Sequence, residues 1–322
     1  MAIVIDPASQ SSDDDARSNT SSELTELDPG DFPQYFRENL GRLFHSHGQS
    51  PYPLPVDAAE QHRLNRQHAL LQSLIRGLFV GPVNQALSGI NGRKNAVDLC
   101  TGTGKWVMDM ALMFPHVKFH GLDIVPIQTR HPLPNVYFVI HDVAAGLDYT
   151  SGTVDLVHAR DISYAVRNYH QLLCEVMRVL RPGGLFVAGE WAPYPSMGNI
   201  YNIRDYAPRT WEYFDLLRMV LSNREISTVP TMIRPWMEQL GFVNIEVREY
   251  RLPVNGRHAT SFTRRTNANL QVYVESLQPM MADAGYGSRA RSLANLMFGE
   301  ISRVDGIFFT YYAIHGARRA RA

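Results

Sequence analysis

Residues 96–128 read AVDLCTGTGKWVMDMALMFPHVKFHGLDIVPIQ. The apolar run Ala96-Val97-Asp98-Leu99 leads into Cys100-Thr101-Gly102-Thr103-Gly104. Trp106, Val107, Met110, Ala111 and Phe114 follow at three- and four-residue steps, and a second apolar run from Val117 to Leu122 ends in Asp123. Strand, glycine turn, amphipathic helix, strand and acid make one βαβ unit. It commits the chain to an open α/β sheet that binds ligands at the carboxyl ends of its strands. Gly102 and Gly104 allow positive φ and a close approach to a ligand where a Cβ would clash. The helix opening at Gly104 presents unpaired N–H groups and a partial positive charge. Asp123 lies about twenty residues past the turn, where an acid accepts hydrogen bonds from both hydroxyls of a ribose. The predicted ligand is an adenosine derivative.

A dinucleotide fold asks for G-x-G-x-x-G, and here Val107 stands at the third glycine position beside Trp106. These side chains crowd a pyrophosphate, and Asp98 before the turn repels one. A carboxylate there suits a cationic amino group instead. Acid, glycine turn and second acid favour S-adenosylmethionine, which carries an ammonium, a sulfonium and a ribose. Glycines that serve turn geometry alone are the competing reading, and the paired acids Asp98 and Asp123 weigh against it. A nicotinamide-dependent oxidoreductase is the remote alternative, disfavoured by Val107 and Asp98.

The whole chain has 322 residues, 45% hydrophobic and 19% charged, as in a soluble globular enzyme. Lys plus Arg and Asp plus Glu number 31 each, which gives no support for nucleic-acid binding. The two cysteines, Cys100 and Cys174, make no disulfide framework. Cys100 has no readable base partner and is expected to be a small buried residue. No signal-peptide pattern and no bilayer-length apolar run is present, so the expected location is cytoplasmic, with nuclear as the alternative.

Residues 1–31 are rich in Ser, Asp, Glu and Thr and are expected to be disordered. Residues 32–90 are read as N-terminal helices forming a lid. A short docking helix is expected over Phe32 to Phe44, and His45 and His47 are read as a solvated pair. Tyr52 to Val56 is extended because two prolines block helix. Asp57 and Glu60 form a capping box. The following helix carries Leu64, Leu71, Leu74, Ile75 and Leu78 on one face. Its polar residues Arg63, Asn65, Arg66, Gln67 and His68 are either a solvated side or a lid over the cofactor crevice. The sheet domain is placed at 91–316, and Arg318, Arg319 and Arg321 in a solvated basic tail at 317–322.

Val136 to Ile140 reads as a third strand, after which Asp142 either accepts from an adenine amine or is an ordinary loop residue. Thr153 to His158 is a fourth strand. His158 and Arg160 beyond it are expected on opposite faces, one reaching the site and one supporting it. Tyr169 to Leu180 is a helix, stopped by Arg181-Pro182-Gly183-Gly184. Leu185 to Gly189 is a fifth strand with Glu190 at its exit. A cap insertion is expected at about 191–230, because Trp191, Tyr194, Tyr201, Tyr206, Trp211, Tyr213 and Phe214 make it too long and too aromatic for a simple connection. These aromatics either line a pocket for a flat or apolar substrate or glue the cap to the core. Helices at 231–240, 262–281 and 289–301, a sixth strand from Val243 and a last strand from Ile307 to Ile314 complete the reading.

Three stretches carry a family resemblance. They are Tyr52-Pro53-Leu54-Pro55 with Asp57, Glu60, Arg63, Leu64, Gln67 and His68; Asp98 to Trp106 with Met108 to Ala111, Phe114-Pro115 and Gly121 to Gln128; and Val157 to Arg160 with Leu180 to Gly184. The chain resembles the class I S-adenosylmethionine-dependent methyltransferases, in their fungal LaeA-like, secondary-metabolite branch. The resemblance implies a Rossmann-like, doubly wound, seven-stranded, mostly parallel sheet with its last strand antiparallel. It implies cofactor contacts from Tyr52, Asp98, Thr101, Gly102, Gly104, Asp123, Ile124, Asp142, Val143 and His158. The family's usual glycine at the start of the turn is Cys100 here, tolerable if its φ stays negative.

The expected reaction is in-line methyl transfer, in which the protein mainly orients two reactants. His158 and Glu190, at strand ends, are the candidate catalytic groups, and no metal is expected. The expected acceptor is a small aromatic or apolar molecule, methylated on O or N. The alternative is a LaeA-like nuclear regulator with protein partners. Neither nucleic acid nor membrane is expected as a partner.

Overall fold

The computed structural model of the chain describes residues 29–89, 94–198, 201–254 and 259–320, with the backbone of two short paired strands at 2–4 and 24–26. Most of the N-terminal segment expected to be disordered lies outside the described residues, as does Arg321.

The central sheet has seven strands: β1 (Lys94–Leu99), β2 (Val117–Asp123), β3 (Val136–Ile140), β4 (Val154–Arg160), β5 (Leu180–Trp191), β6 (Phe242–Pro253) and β7 (Phe308–Arg318). Their spatial order is β6-β7-β5-β4-β1-β2-β3. β1 to β5 pair in parallel, and β7 runs antiparallel between β5 and β6. The chain winds outward from β1 in one direction and from β4 in the other. The carboxyl ends of these two neighbours are the topological switch point, where ligands bind in such sheets.

Continuous apolar runs place β1 and β4 with both faces covered. One face packs under α4 (Tyr169–Val179) and α6 (Pro230–Gln239), through residues such as Leu173, Val176, Ile233 and Met237. The other packs under α2 (Val83–Leu87) and α3 (Lys105–Met113), through Leu87, Trp106, Val107 and Met110. A third core lies above the carboxyl ends of the strands. There Tyr213, Phe214 and Leu217 of α5 (Pro208–Ser222) meet Val274 and Leu277 of α7 (Ser261–Asp283) and Leu293 and Met297 of α8 (Gly287–Ile301). The cap therefore draws on two chain segments, one after β5 and one between β6 and β7, and not on 191–230 alone. The apolar stripes of α7 and α8 close on α5, which carries the aromatics.

The docking helix expected over Phe32 to Phe44 is a helix for only one turn, Phe32–Tyr35. A hairpin follows, pairing Phe36–Asn39 with Arg42–His45. Leu40 and Gly41, at φ 51° and 72°, form the two-residue turn. Two positive φ values match the twist of such a turn and override the helical spacing. The basic tail is also shorter than expected. Arg318 belongs to β7, and its Nη1 donates to the carbonyls of Met177, Arg178 and Leu180 at 3.1, 3.1 and 2.6 Å. It thereby serves the unpaired carboxyl end of α4. No helix among the described residues is long and apolar enough to cross a membrane.

Candidate functional site

Two adjoining clefts open at the switch point. The first has about 1080 Å³ of empty space including its mouth, and the second about 1010 Å³. Tyr52, Leu64, Gln67 and Asp161 border both.

The floor of the first cleft is the turn after β1. Gly102, at φ 57°, donates its N–H to Asp123 Oδ2 at 2.8 Å, and Val125 N–H reaches Oδ1 at 3.2 Å. Gly104 is needed for two reasons. Its φ is 74°, and a Cβ there would stand 2.4 Å from the Phe138 ring. Cys100 takes φ 52°, so the condition of a negative φ is not met. The left-handed backbone that a glycine adopts freely is imposed here on a thiol residue, at a cost of about 1–3 kcal/mol. Burial first, then Asp123, Asp98 and neighbouring acids push the thiol well above its ordinary pKa, which keeps it protonated. Cys100→Gly is expected to keep or raise stability, by up to about 1 kcal/mol, because strain relief outweighs the added chain entropy. Cys100→Val is expected to lose about 2 kcal/mol or more, since β-branching is worst at positive φ. Urea unfolding of the two variants checks the pair, and the reverse order would show that the turn is unstrained.

The structure places the expected contact residues in two groups. Tyr52, Thr101, Gly102, Asp123, Ile124, Asp142 and Val143 line the first cleft. Asp98, Gly104 and His158 do not. Asp98 is buried beneath the turn, accepting from Thr101 Oγ1 at 2.6 Å on Oδ2 and meeting His158 Nδ1 at 2.6 Å on Oδ1. Both oxygens are engaged inside the protein, so Asp98 shapes the turn from outside the lining of the first cleft. His158 is buried and stacked on Trp106, with centroids 3.6 Å apart and planes 7° off parallel. Burial holds the ring below its ordinary pKa against the pull of Asp98. A neutral ring donating to Asp98 beneath the turn cannot serve the mouth of the cleft. Residues two apart on a strand share a face, so Arg160 lies on the same side as His158, contrary to expectation. Its Nη2 approaches His68 Nδ1 at 3.1 Å.

The helix α1 (Ala58–Ile75) runs over the first cleft. Leu64, Gln67 and His68 face the space, and Asn65 accepts from Thr103 Oγ1 at 2.7 Å. Its polar side is thus an inner wall. Asp57 caps the helix, accepting from Glu60 N–H at 3.1 Å. Only this half of the expected capping box forms, because the Glu60 side chain is fully buried against Arg63 and Ser276. His45 and His47 are not a solvated pair. His45 is buried against the Tyr52 carbonyl at 2.9 Å, and His47 Nε2 lies 2.8 Å from Asp142 Oδ2. Asp142 also accepts from Ala144 N–H at 2.9 Å. The segment after the hairpin thereby meets Asp142 at the cleft end where an adenine amine was expected.

Glu190 borders the second cleft, and its Oε1 accepts from Ile162 and Ser163 N–H at 3.0 and 3.1 Å. Burial, then the charge of Asp161, pushes its carboxyl up to about 8. Near pH 7 it is a neutral acid and not a base. Burial likewise pushes Asp123 up to about 7 and Asp161 up to about 6. Sequence reading passed over Asp161, although its place directly after β4 at the switch point was a usable signal.

These shifts have a stability consequence. An acid raised on folding binds more protons folded than unfolded, so stability falls as pH rises through its folded pKa. Buried His45, His68 and His158 are lowered and act oppositely, but only below their ordinary value of 6.5. Above it their opposition fades, and Asp123 and Glu190 dominate. The melting temperature of the ligand-free protein is expected to fall between pH 6.5 and 8. A flat or rising profile there would refute the burial of these acids.

The site chemistry fits a sulfonium nucleoside. Asp123 lines the cleft, fixed by the N–H groups of Gly102 and Val125, and the apolar Ile124 and Val143 line it too. Comparison with known proteins agrees. Residues 96–184 match the profile of a methyltransferase domain. The chain is 28% identical over 265 residues to the secondary metabolism regulator laeA of Coprinopsis cinerea, covering 77% of this chain and 65% of that protein. It is 27% identical over 230 residues to the methyltransferase pytC of Aspergillus terreus, covering 69% and 66%. It is 27% identical over 235 residues to the protein-methionine methyltransferase laeA of Emericella nidulans, covering 71% and 60%. The matched region is less than two thirds of each relative's length. Sheet order, glycine turn and the matched stretch agree: residues 96–184 carry a methyltransferase domain on a sheet of the class I, S-adenosylmethionine-dependent type, and the chain is similar to the LaeA-like branch.

Proposed function

We propose that the chain transfers the methyl group of S-adenosylmethionine to a small, flat, largely apolar molecule of fungal secondary metabolism. The observation that carries this reading is the second cleft. It adjoins the first through Tyr52, Leu64, Gln67 and Asp161, and its walls include Trp191, Phe214, Leu217, Tyr273 and Phe309. Aromatic and aliphatic walls, with polar groups such as Asp161, Glu190 and Asn269 among them, suit a flat small molecule. The bound cofactor supplies an electrophilic methyl group, and the protein's work is alignment of the two reactants. Asp123 holds the ribose, and Ile124 and Val143 flank the base. His158 supports the turn through Asp98, a positioning role. Glu190, protonated near neutrality, donates from a fixed carboxyl at the cleft wall.

A second reading keeps the same chemistry with a protein acceptor, and the similarity to laeA favours it. Incubating purified protein with methyl-labelled cofactor decides between them, using hydroxy- and amino-aromatic compounds in one arm and a fungal protein extract in the other. Label on the small molecules supports the proposal. Label only on protein overturns it.

A further inference from the structure

We propose that Asp161 is the catalytic residue that meets the acceptor, receiving the proton of an aromatic hydroxyl as the oxygen takes the methyl group. The inference rests on the methyltransferase reading and adds the acceptor class and the residue that selects it. Asp161 stands where the two clefts join. It leaves β4 with φ 59°, a left-handed backbone that turns the side chain away from the strand direction, while its N–H stays on the Gly189 carbonyl at 2.9 Å. Its Oδ2 accepts from Gln67 Nε2. The orientation of that amide is not free, because the Gln67 oxygen accepts from Arg63, which can only donate. Gln67 therefore offers N–H to Asp161 and favours the carboxylate. The other oxygen, Oδ1, is buried and meets no donor in full hydrogen-bonding geometry among the described residues, although the Trp191 indole N–H acts on the carboxyl. A buried carboxylate oxygen without a well-aligned donor is costly, and a ligand hydroxyl would supply one.

The surroundings choose among donors. Arg63 of α1 and Arg160 of β4 act on this carboxylate, which disfavours a cationic ammonium acceptor. Glu190 of β5, Tyr311 of β7, Tyr169 of α4, Tyr164, and Trp191 at the end of β5 are its further titratable and polar surroundings. Tyr164 and Tyr273, joined hydroxyl to hydroxyl at 2.9 Å, and Trp191 give the ring its walls. A neutral O–H on a flat aromatic ring satisfies both the carboxylate and the walls. In the step, the acceptor oxygen forms a bond to the methyl carbon as the sulfur–methyl bond breaks. The sulfonium leaves as a neutral thioether, and the hydroxyl proton passes to Asp161. A carboxyl pushed up to about 6 is ionised at neutral pH and still basic enough for the task.

The test uses 2-naphthol and 2-methoxynaphthalene with full-length protein saturated with S-adenosylhomocysteine. Wild type is expected to bind the naphthol at least tenfold more tightly than its ether, with affinity rising through about pH 6. Asp161→Asn keeps the size and tolerates the left-handed backbone. It is expected to lose the pH dependence and to transfer labelled methyl to 2-naphthol about 100-fold more slowly or less, while binding S-adenosylhomocysteine within about twofold of wild type. Asp161→Ala is expected to bind phenol and ether alike. Equal binding of the two by wild type, no binding or transfer with 2-naphthol, or an Asp161→Asn variant that retains rate and pH dependence overturns the proposal. Wild type that fails to bind S-adenosylhomocysteine shows instead that the methyltransferase reading is at fault, and the proposal falls with it.

Discussion

Asp123→Ala is expected to weaken S-adenosylhomocysteine binding by about 10²–10⁴-fold. Two ribose hydroxyls donating to one carboxylate contribute about 1.5–3 kcal/mol each, since one partner is charged. Every 1.4 kcal/mol is about tenfold in affinity. The alanine also removes the acceptor for Gly102 N–H, so the turn loses its anchor at the same time. Asp123→Asn keeps the shape and is expected to fall between the two. With Asp123 at about 7 in the ligand-free protein, hydroxyl donors favour the ionised form. Affinity should therefore fall about tenfold per unit as pH drops below 7, and the alanine variant should lose that dependence. Isothermal titration at pH 6 and 8 measures both effects. An alanine variant within threefold of wild type would remove Asp123 from the cofactor site.

Glu60→Ala is expected to be the most destabilising single change near the site, by about 3–5 kcal/mol. Glu60 is fully buried, with Oε1 accepting from Arg63 Nε at 2.8 Å and lying 2.7 Å from Nη2, while Oε2 accepts from Ser276 Oγ at 2.7 Å. Removing it strands the Arg63 guanidinium in a buried position and opens the link between α1 and α7. Desolvation makes the intact pair itself a weak source of stability, so its removal together with its partner behaves differently. Glu60→Leu combined with Arg63→Met is expected to recover most of the loss. The double variant should nevertheless bind acceptor poorly, because Arg63 no longer fixes the Gln67 amide. Urea unfolding followed by fluorescence checks the first claim, and a loss below about 1 kcal/mol for Glu60→Ala would contradict it.

The βαβ unit was legible because its evidence is local: period, glycines and acids all lie within residues 96–128. The same holds for the parallel strands, whose apolar runs need no distant partner to be recognised, and for the antiparallel last strand implied by the family resemblance. What sequence reading missed depends on non-local packing. Asp98 looked like a ligand group because its alternation beside an apolar run cannot reveal that His158, sixty residues on, takes one of its oxygens. The polar residues of α1 were divided between solvated side and lid, because spacing does not show that α7 brings Ser276 against Glu60. The cap seemed to lie in one segment, since only tertiary contact joins α5 to α7 and α8. Cys100 was judged by its side chain, while its backbone angle is set by the turn that Gly102 and Gly104 complete. Asp161 was passed over because nothing in its neighbours' periodicity marks an acid that lies between two clefts.

The central claim is that this crevice holds a sulfonium nucleoside, and calorimetric titration of purified wild-type protein tests it most directly. The expected result is one site per chain for S-adenosylhomocysteine, lost in Asp123→Ala, with no measurable heat for NAD. Binding of NAD at that site, or folded protein with no affinity for S-adenosylhomocysteine, would contradict the account.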